Sequence, residues 1–166
     1  MIRAAAALFL AAVLSATAAA AQVMDFDVDD PQMNAAVRQA QHTLPLFLES
    51  ALEGKEVSSP DVLVKVALPL ASDPTTNENI WVDRFQRVGP DEFLGCLANK
   101  PVDLAHLGFG SRVFFSQTQI VDWSVVSPDG RLHGNYTSRV MYDRGAFAGE
   151  EYDDIFMPDP LPPGWM

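Results

Sequence analysis

One cysteine, three histidines and eleven basic side chains among 166 residues remove several functions before any motif is sought. Cys96 has no partner for an internal disulfide. It lies in the apolar run Phe93-Leu94-Gly95-Cys96-Leu97, the setting of an inert buried thiol and not the electropositive, accessible one that reactivity requires. His42, His106 and His133 form no His-x-x-x-His or His-Glu-x-x-His spacing, and no Cys-x-x-Cys exists, so a zinc site lacks ligands. The Gly-x-Ser-x-Gly elbow, the P-loop and the Gly-rich dinucleotide turn are also missing. With 22 acidic residues and a net charge of −11, the chain offers no basic patch for phosphates, and nucleic acid is not an expected partner. These absences assign no cofactor, no metal and no catalytic residue.

The one long apolar stretch is N-terminal. Arg3 supplies a short positive region, residues 4–14 an apolar core, and Ala19-Ala20-Ala21 a small-residue cleavage site. This core is well short of the roughly 20 residues that span a bilayer. Residues 1–21 are therefore expected to be a signal peptide cut near Ala21, giving a periplasmic or secreted protein with no stable membrane insertion. Loss of Arg3 leaves 10 basic against 22 acidic residues. The run Asp25-Phe26-Asp27-Val28-Asp29 imitates the start of a calcium loop, but Asp30 replaces the Gly at its sixth position and Ala36 the Glu at its twelfth.

The remaining 145 residues suit one domain with its own core. Asp30 as N-cap and Pro31 at the first helical position announce a helix, and Met33, Ala36, Val37, Ala40, Leu44, Phe47, Leu48, Ala51 and Leu52 form its apolar stripe. Pro45 is expected to kink it or to start a second turn capped by Thr43, and Gly54 to end it. The period then changes to two: Val62, Val64, Val66 and Leu68 alternate with Leu63, Lys65 and Ala67. Further strands are expected at residues 80–88, 93–97, 112–117, 120–126 and 132–142, joined by short turns. The fold class that follows is α+β, an N-terminal amphipathic helix packed on a curved antiparallel sheet of five to six strands. Residues 22–142 form this domain, and residues 143–166 an acidic, Pro-rich tail with Phe156 and Trp165 as candidate latches.

Ser127-Pro128-Asp129-Gly130 has strong turn chemistry. Pairing Val126 with Arg131 across it places Trp123 opposite Gly134, Ser124 opposite His133 and Asp122 opposite Asn135. Asp122, Asn135, Thr137 and Arg139 then share one face of the last hairpin.

Met33-Asn34-Ala35-Ala36, Val64-Lys65, Glu78-x-Ile80-Trp81-Val82, Phe93-x-Gly95-x-Leu97-x-Asn99-x-Pro101, Ile120-x-Asp122-Trp123, Gly130 and Gly134-x-Tyr136-Thr137-x-Arg139 follow one another in an order that resembles the YegJ-like bacterial domain of unknown function, number 2314. The resemblance runs from about residue 33 to 141. Asn79 stands where it leads one to expect His, and Phe109-Gly110-Ser111 where it leads one to expect a Gly-acid turn. It implies a shared fold and brings no catalytic residue with it.

Three functions compete at this level. A noncatalytic binding module of the cell envelope, meeting an envelope protein or a small ligand, has candidate contacts in Lys65, Trp81, Asn99, Asp122, Trp123, Tyr136 and Arg139, because aromatic residues beside Arg enrich interfaces. A small hydrolase could use Asp122, Ser124 and His133 on the last hairpin. An inhibitor or shielding protein could act through the acidic tail.

Overall fold

The computed structural model describes residues 30–147 and 149–165. The expected signal peptide and the run from Asp25 to Asp29 lie outside the described residues.

Helix α1 spans Pro31–Leu52, with Asp30 Oδ1 accepting hydrogen bonds from the amides of Gln32 and Met33, 3.0 and 3.1 Å. The helix passes through Pro45 as one element. Thr43 does not start a second helix; its hydroxyl sits against the carbonyls of Gln39 and Ala40. Beyond the C-cap Glu53, Gly54 takes φ +63°, the left-handed geometry that ends many helices.

Six strands follow: β1 Val62–Pro69, β2 Asn77–Arg87, β3 Glu92–Leu97, β4 Arg112–Ser116, β5 Ile120–Val126 and β6 Leu132–Gly134. They form one antiparallel sheet in the order β4-β3-β2-β1-β5-β6. The alternation seen in β1 turns Val64, Val66 and Leu68 inward, beside Ile80, Val82, Phe93, Leu97, Ile120 and Trp123, onto the buried stripe of α1. Phe47 on α1 stacks on Trp123 with ring centroids 5.0 Å apart. Two irregularities shape the sheet. The β1–β5 register shifts between Lys65 and Val66, and the β2–β3 register between Asp83 and Gln86, where Arg84 takes φ +44°. Opposite that second bulge, a Cβ on Gly95 would lie 2.4 Å from Val82 Cγ1, so the close approach of the strands requires glycine.

The C-terminal third departs from the expected hairpin. The strand expected over residues 132–142 stops at Gly134, and helix α2 occupies Tyr136–Asp143. Gly134 and Asn135 carry φ of +66° and +55°, two consecutive left-handed residues that no strand can continue through. The β5–β6 pairing is also one residue away from expectation: Ser124 faces Gly134, Val125 faces His133 and Val126 faces Leu132. The loop closes one residue later than expected, with the Ser127 amide bonded to the Arg131 carbonyl at 2.8 Å. On its β6 side Asp122 has no strand opposite it, because β6 has ended and α2 has begun.

After a short helix α3, Tyr152–Ile155, the segment from Phe156 runs along the outer edge of β6. Phe156 forms a parallel bridge with Leu132, the Met157 amide donates to the Leu132 carbonyl at 3.0 Å, and the Gly134 amide to the Pro160 carbonyl at 2.7 Å. Phe156 is buried, and Trp165 lies on Phe47 and Trp123. Both expected latches therefore contact the domain.

Candidate functional site

The two faces of the sheet differ in kind. The inner face is apolar and covered by α1, whereas the outer face carries Lys65 on β1, Trp81 and Asp83 on β2, Leu94 and Cys96 on β3, Arg112 and Phe114 on β4, and Asp122 and Ser124 on β5, as strand alternation and register require. From β2 to β4 these outer residues are exposed or half-buried, Leu94 excepted.

A polar row crosses this face. Trp81, Lys65 and Asp122 are direct neighbours on β2, β1 and β5. The Lys65 ammonium lies 4.9 Å from the centre of the Trp81 ring and donates to Thr137 Oγ1 at 2.8 Å. The Thr137 hydroxyl donates in turn to Asp122 Oδ2 at 2.5 Å. Asp122 is fully buried and accepts three backbone bonds as well, from Trp123 and Tyr136 to Oδ1 at 2.8 and 3.1 Å and from Thr137 to Oδ2 at 2.8 Å. Asn135, the N-cap residue, makes no side-chain cap bond to the helix. The β5 carboxylate takes the open amides of α2 in its place and puts a negative charge at the positive end of the helix. Burial pushes the Asp122 pKa up, against the Lys65 charge and the Thr137 and backbone bonds; burial pulls Lys65 down, against the charge of Asp122. Four donors converge on the carboxylate, an arrangement that fits the ionised, acceptor-only form.

The seven candidate contact residues separate into groups. Lys65, Trp81 and Asp122 meet on the outer face, and of the three only Trp81 is not buried. Asn99 follows β3 and bonds to the backbone of this row, its Oδ1 accepting from the Trp81 amide at 2.9 Å. Trp123 and Tyr136 belong to the inner core, joined edge to face with centroids 5.7 Å apart. Trp123 is fully buried, and its indole N–H points at Thr43 Oγ1 and the Ala40 carbonyl of α1. Arg139 lies on α2, not on a final strand. Its guanidinium donates to the carbonyls of Gly134 at 2.9 Å, Leu132 at 3.2 Å and Met157 at 2.9 Å, and to the Tyr152 hydroxyl. It packs on the Phe156 ring at 4.8 Å. Arg139 thus fastens the C-terminal segment to β6.

Glu78 also has a backbone task. Its carboxylate accepts from the successive amides of Val102, Asp103 and Leu104 at 2.7, 3.0 and 3.1 Å, which anchors the loop between β3 and β4. Asp122 and His133 have separate partners: the His133 ring meets the Asp159 carbonyl at 3.1 Å, and Ser124 Oγ accepts from Asn135 Nδ2 at 2.7 Å. The three residues weighed as a hydrolytic site are each bonded to other partners.

Sequence reasoning named neither Thr137 as the link between Lys65 and Asp122 nor Phe114 as an exposed aromatic. Phe114 was detectable in principle. In Arg112-Val113-Phe114-Phe115-Ser116, two adjacent aromatics on one strand must point to opposite faces, so one of them faces out.

No curated protein and no solved structure is detectably similar to the chain. A family model described as an uncharacterised protein conserved in bacteria, domain of unknown function 2314, matches residues 30–155, from the N-cap of α1 to the end of α3. That span covers most of the 166 residues, and the chain belongs to this uncharacterised bacterial family.

Proposed function

We propose that this protein is a noncatalytic binding module of the bacterial cell envelope, exported by its N-terminal signal, whose contact surface is the outer face of the sheet around Trp81. The observation that carries this reading is the Trp81 side chain itself. It is a large amphipathic ring, partly exposed, on the one sheet face that α1 does not cover, with the Lys65 ammonium over it and Asn99 fixing its backbone. A rigid aromatic of this kind contributes contact area at small entropic cost and is the residue type most often found at the centre of an interface. The buried Lys65–Thr137–Asp122 chain has a supporting role, because it holds the strand and the start of α2 in one geometry beneath the ring.

The test is capture from envelope extract by cross-linking, comparing the full-length chain with Trp81→Ala after thermal unfolding has confirmed that the variant folds. A species captured by the wild type and lost from Trp81→Ala supports the proposal. Equal capture by both proteins overturns it.

A further inference from the structure

The two edges of the sheet are treated differently. The β6 edge is covered by the C-terminal segment through the bonds at Leu132 and Gly134. The β4 edge is paired with no strand of the described residues. In the β3–β4 ladder, the Leu97 amide bonds to the Ser111 carbonyl at 2.9 Å and the Gln117 amide to the Asp91 carbonyl at 2.8 Å, so residues 111, 113, 115 and 117 turn their backbone groups toward β3. By the alternation of an antiparallel pair, Arg112, Phe114 and Ser116 turn theirs outward. The Ser116 amide is taken by Gln119 Oε1 at 2.9 Å. The amides and carbonyls of Arg112 and Phe114 have no hydrogen-bond partner among the described residues and remain as an edge.

Native sheets usually protect such an edge with proline, charged side chains or a bulge, and β4 has neither proline nor bulge and a single charge, Arg112. It presents Arg112, exposed, and Phe114, 73% exposed, side by side on the outer face. We propose that the chain forms a symmetric homodimer by antiparallel pairing of its β4 edge with the β4 edge of a second copy, each Arg112 lying across from Phe114 of the partner subunit.

The register follows from the free groups. A two-fold axis through Val113 makes Arg112 and Phe114 the hydrogen-bonded pairs, joining all the free amides and carbonyls of the two residues. An axis through Phe114 would require the Ser116 amide, which is already engaged. In the favoured register each guanidinium meets an aromatic ring across the interface, the same pairing that this chain makes internally where Arg87 lies 4.7 Å over the Phe93 ring. The symmetry is isologous and closed, so association stops at two copies. Both outer faces then lie on the same side of one continuous sheet. The pairing stands on the β4 edge alone and holds whether or not Trp81 meets a ligand. A five-residue edge buries less surface than a permanent dimer requires, so the equilibrium is concentration-dependent.

Sedimentation velocity of the full-length chain, from low micromolar to near millimolar concentration, tests this beside Phe114→Pro and Phe114→Lys. Proline at 114 removes the ring and the outward amide but no β3–β4 bond, and such edge positions tolerate it; lysine keeps the backbone and should fold even if the proline variant does not. The expected result is a twofold rise in mass for the wild type, with the folded variants monomeric throughout. A wild type that stays monomeric at the highest concentration, grows beyond the dimer, or associates no better than a folded variant overturns the proposal.

Discussion

Thr137 gives both its amide and its hydroxyl to one oxygen of Asp122, at 2.8 and 2.5 Å, so a carboxylate on β5 caps a helix that begins fourteen residues later. The same hydroxyl receives the Lys65 ammonium. A charged pair is thus carried beneath the outer face with every polar side-chain atom bonded: among the described residues, no buried side-chain nitrogen or oxygen lacks a partner. Removing one member of such a pair costs more than the pair contributes, because the other is left buried.

Asp122→Ala should therefore destabilise the domain by about 3–5 kcal/mol, since it strips the start of α2 and leaves Lys65 with Thr137 and the Trp81 ring alone. Lys65→Met should cost less, no more than about 2 kcal/mol, because the amide donors around Asp122 remain. Urea denaturation of the two variants gives both values. The reverse order would contradict the capping role of Asp122.

Arg139→Ala should loosen the C-terminal segment selectively. Its guanidinium joins Leu132 and Gly134 to Tyr152 and Met157, and lysine cannot reproduce that fork. Hydrogen exchange should rise across residues 150–165 and the domain lose about 3 kcal/mol. Protection unchanged in that segment would show that other contacts hold it. Arg139 is for the same reason a poor variant for locating a ligand, since losing it disturbs the fold.

These residues also mark where the sequence was legible and where it was not. Helix α1 and strands β1 to β5 follow from apolar spacing and from local signals such as Asp30-Pro31, which act through neighbours in the chain. The segment after Gly134 misled because Tyr136, Thr137, Val140 and Tyr142 favour strands, while the group that stabilises the helix, Asp122, is remote in sequence and leaves no local trace. Gly134-Asn135 was the available warning. Lys65, Trp81 and Asp122, three of the seven candidate contacts, are cross-strand neighbours. Tyr136 and Arg139 were placed on a continuation of the last strand that is helix α2 instead, and Trp123, on its expected strand, faces the core.

Two glycines separate conformation from crowding. Gly130 takes φ +88° in open space, so Gly130→Ala should cost only the left-handed strain, roughly 1–2 kcal/mol. Gly134 takes φ +66°, and a Cβ there would lie 2.3 Å from the Trp123 carbonyl oxygen. Gly134→Ala should be clearly more damaging, with Trp123 fluorescence altered. Equal melting temperatures for the two variants would refute the close approach.

Acid should weaken the start of α1. Arg144 and the Met33 and Gln32 amides hold the Asp30 carboxyl well below its ordinary value of 3.8. A depressed carboxyl stabilises the fold above its unfolded pKa, and that contribution is lost as pH falls through the folded value. The stability difference between wild type and Asp30→Ala should be constant from neutral pH down to about pH 5 and shrink below about pH 4. A difference that persists undiminished well into acid would mean that Asp30 acts without its charge.

The most direct measurement is photo-cross-linking in living cells, with a photoreactive phenylalanine analogue at Trp81 in the full-length chain and, as a control, at Leu46, which is exposed on α1 away from the outer face. An adduct formed from position 81 and absent from position 46 is the expected result and would place contact on the uncovered sheet face. Adducts from position 46 alone, with the 81 variant folded and exported, would contradict it.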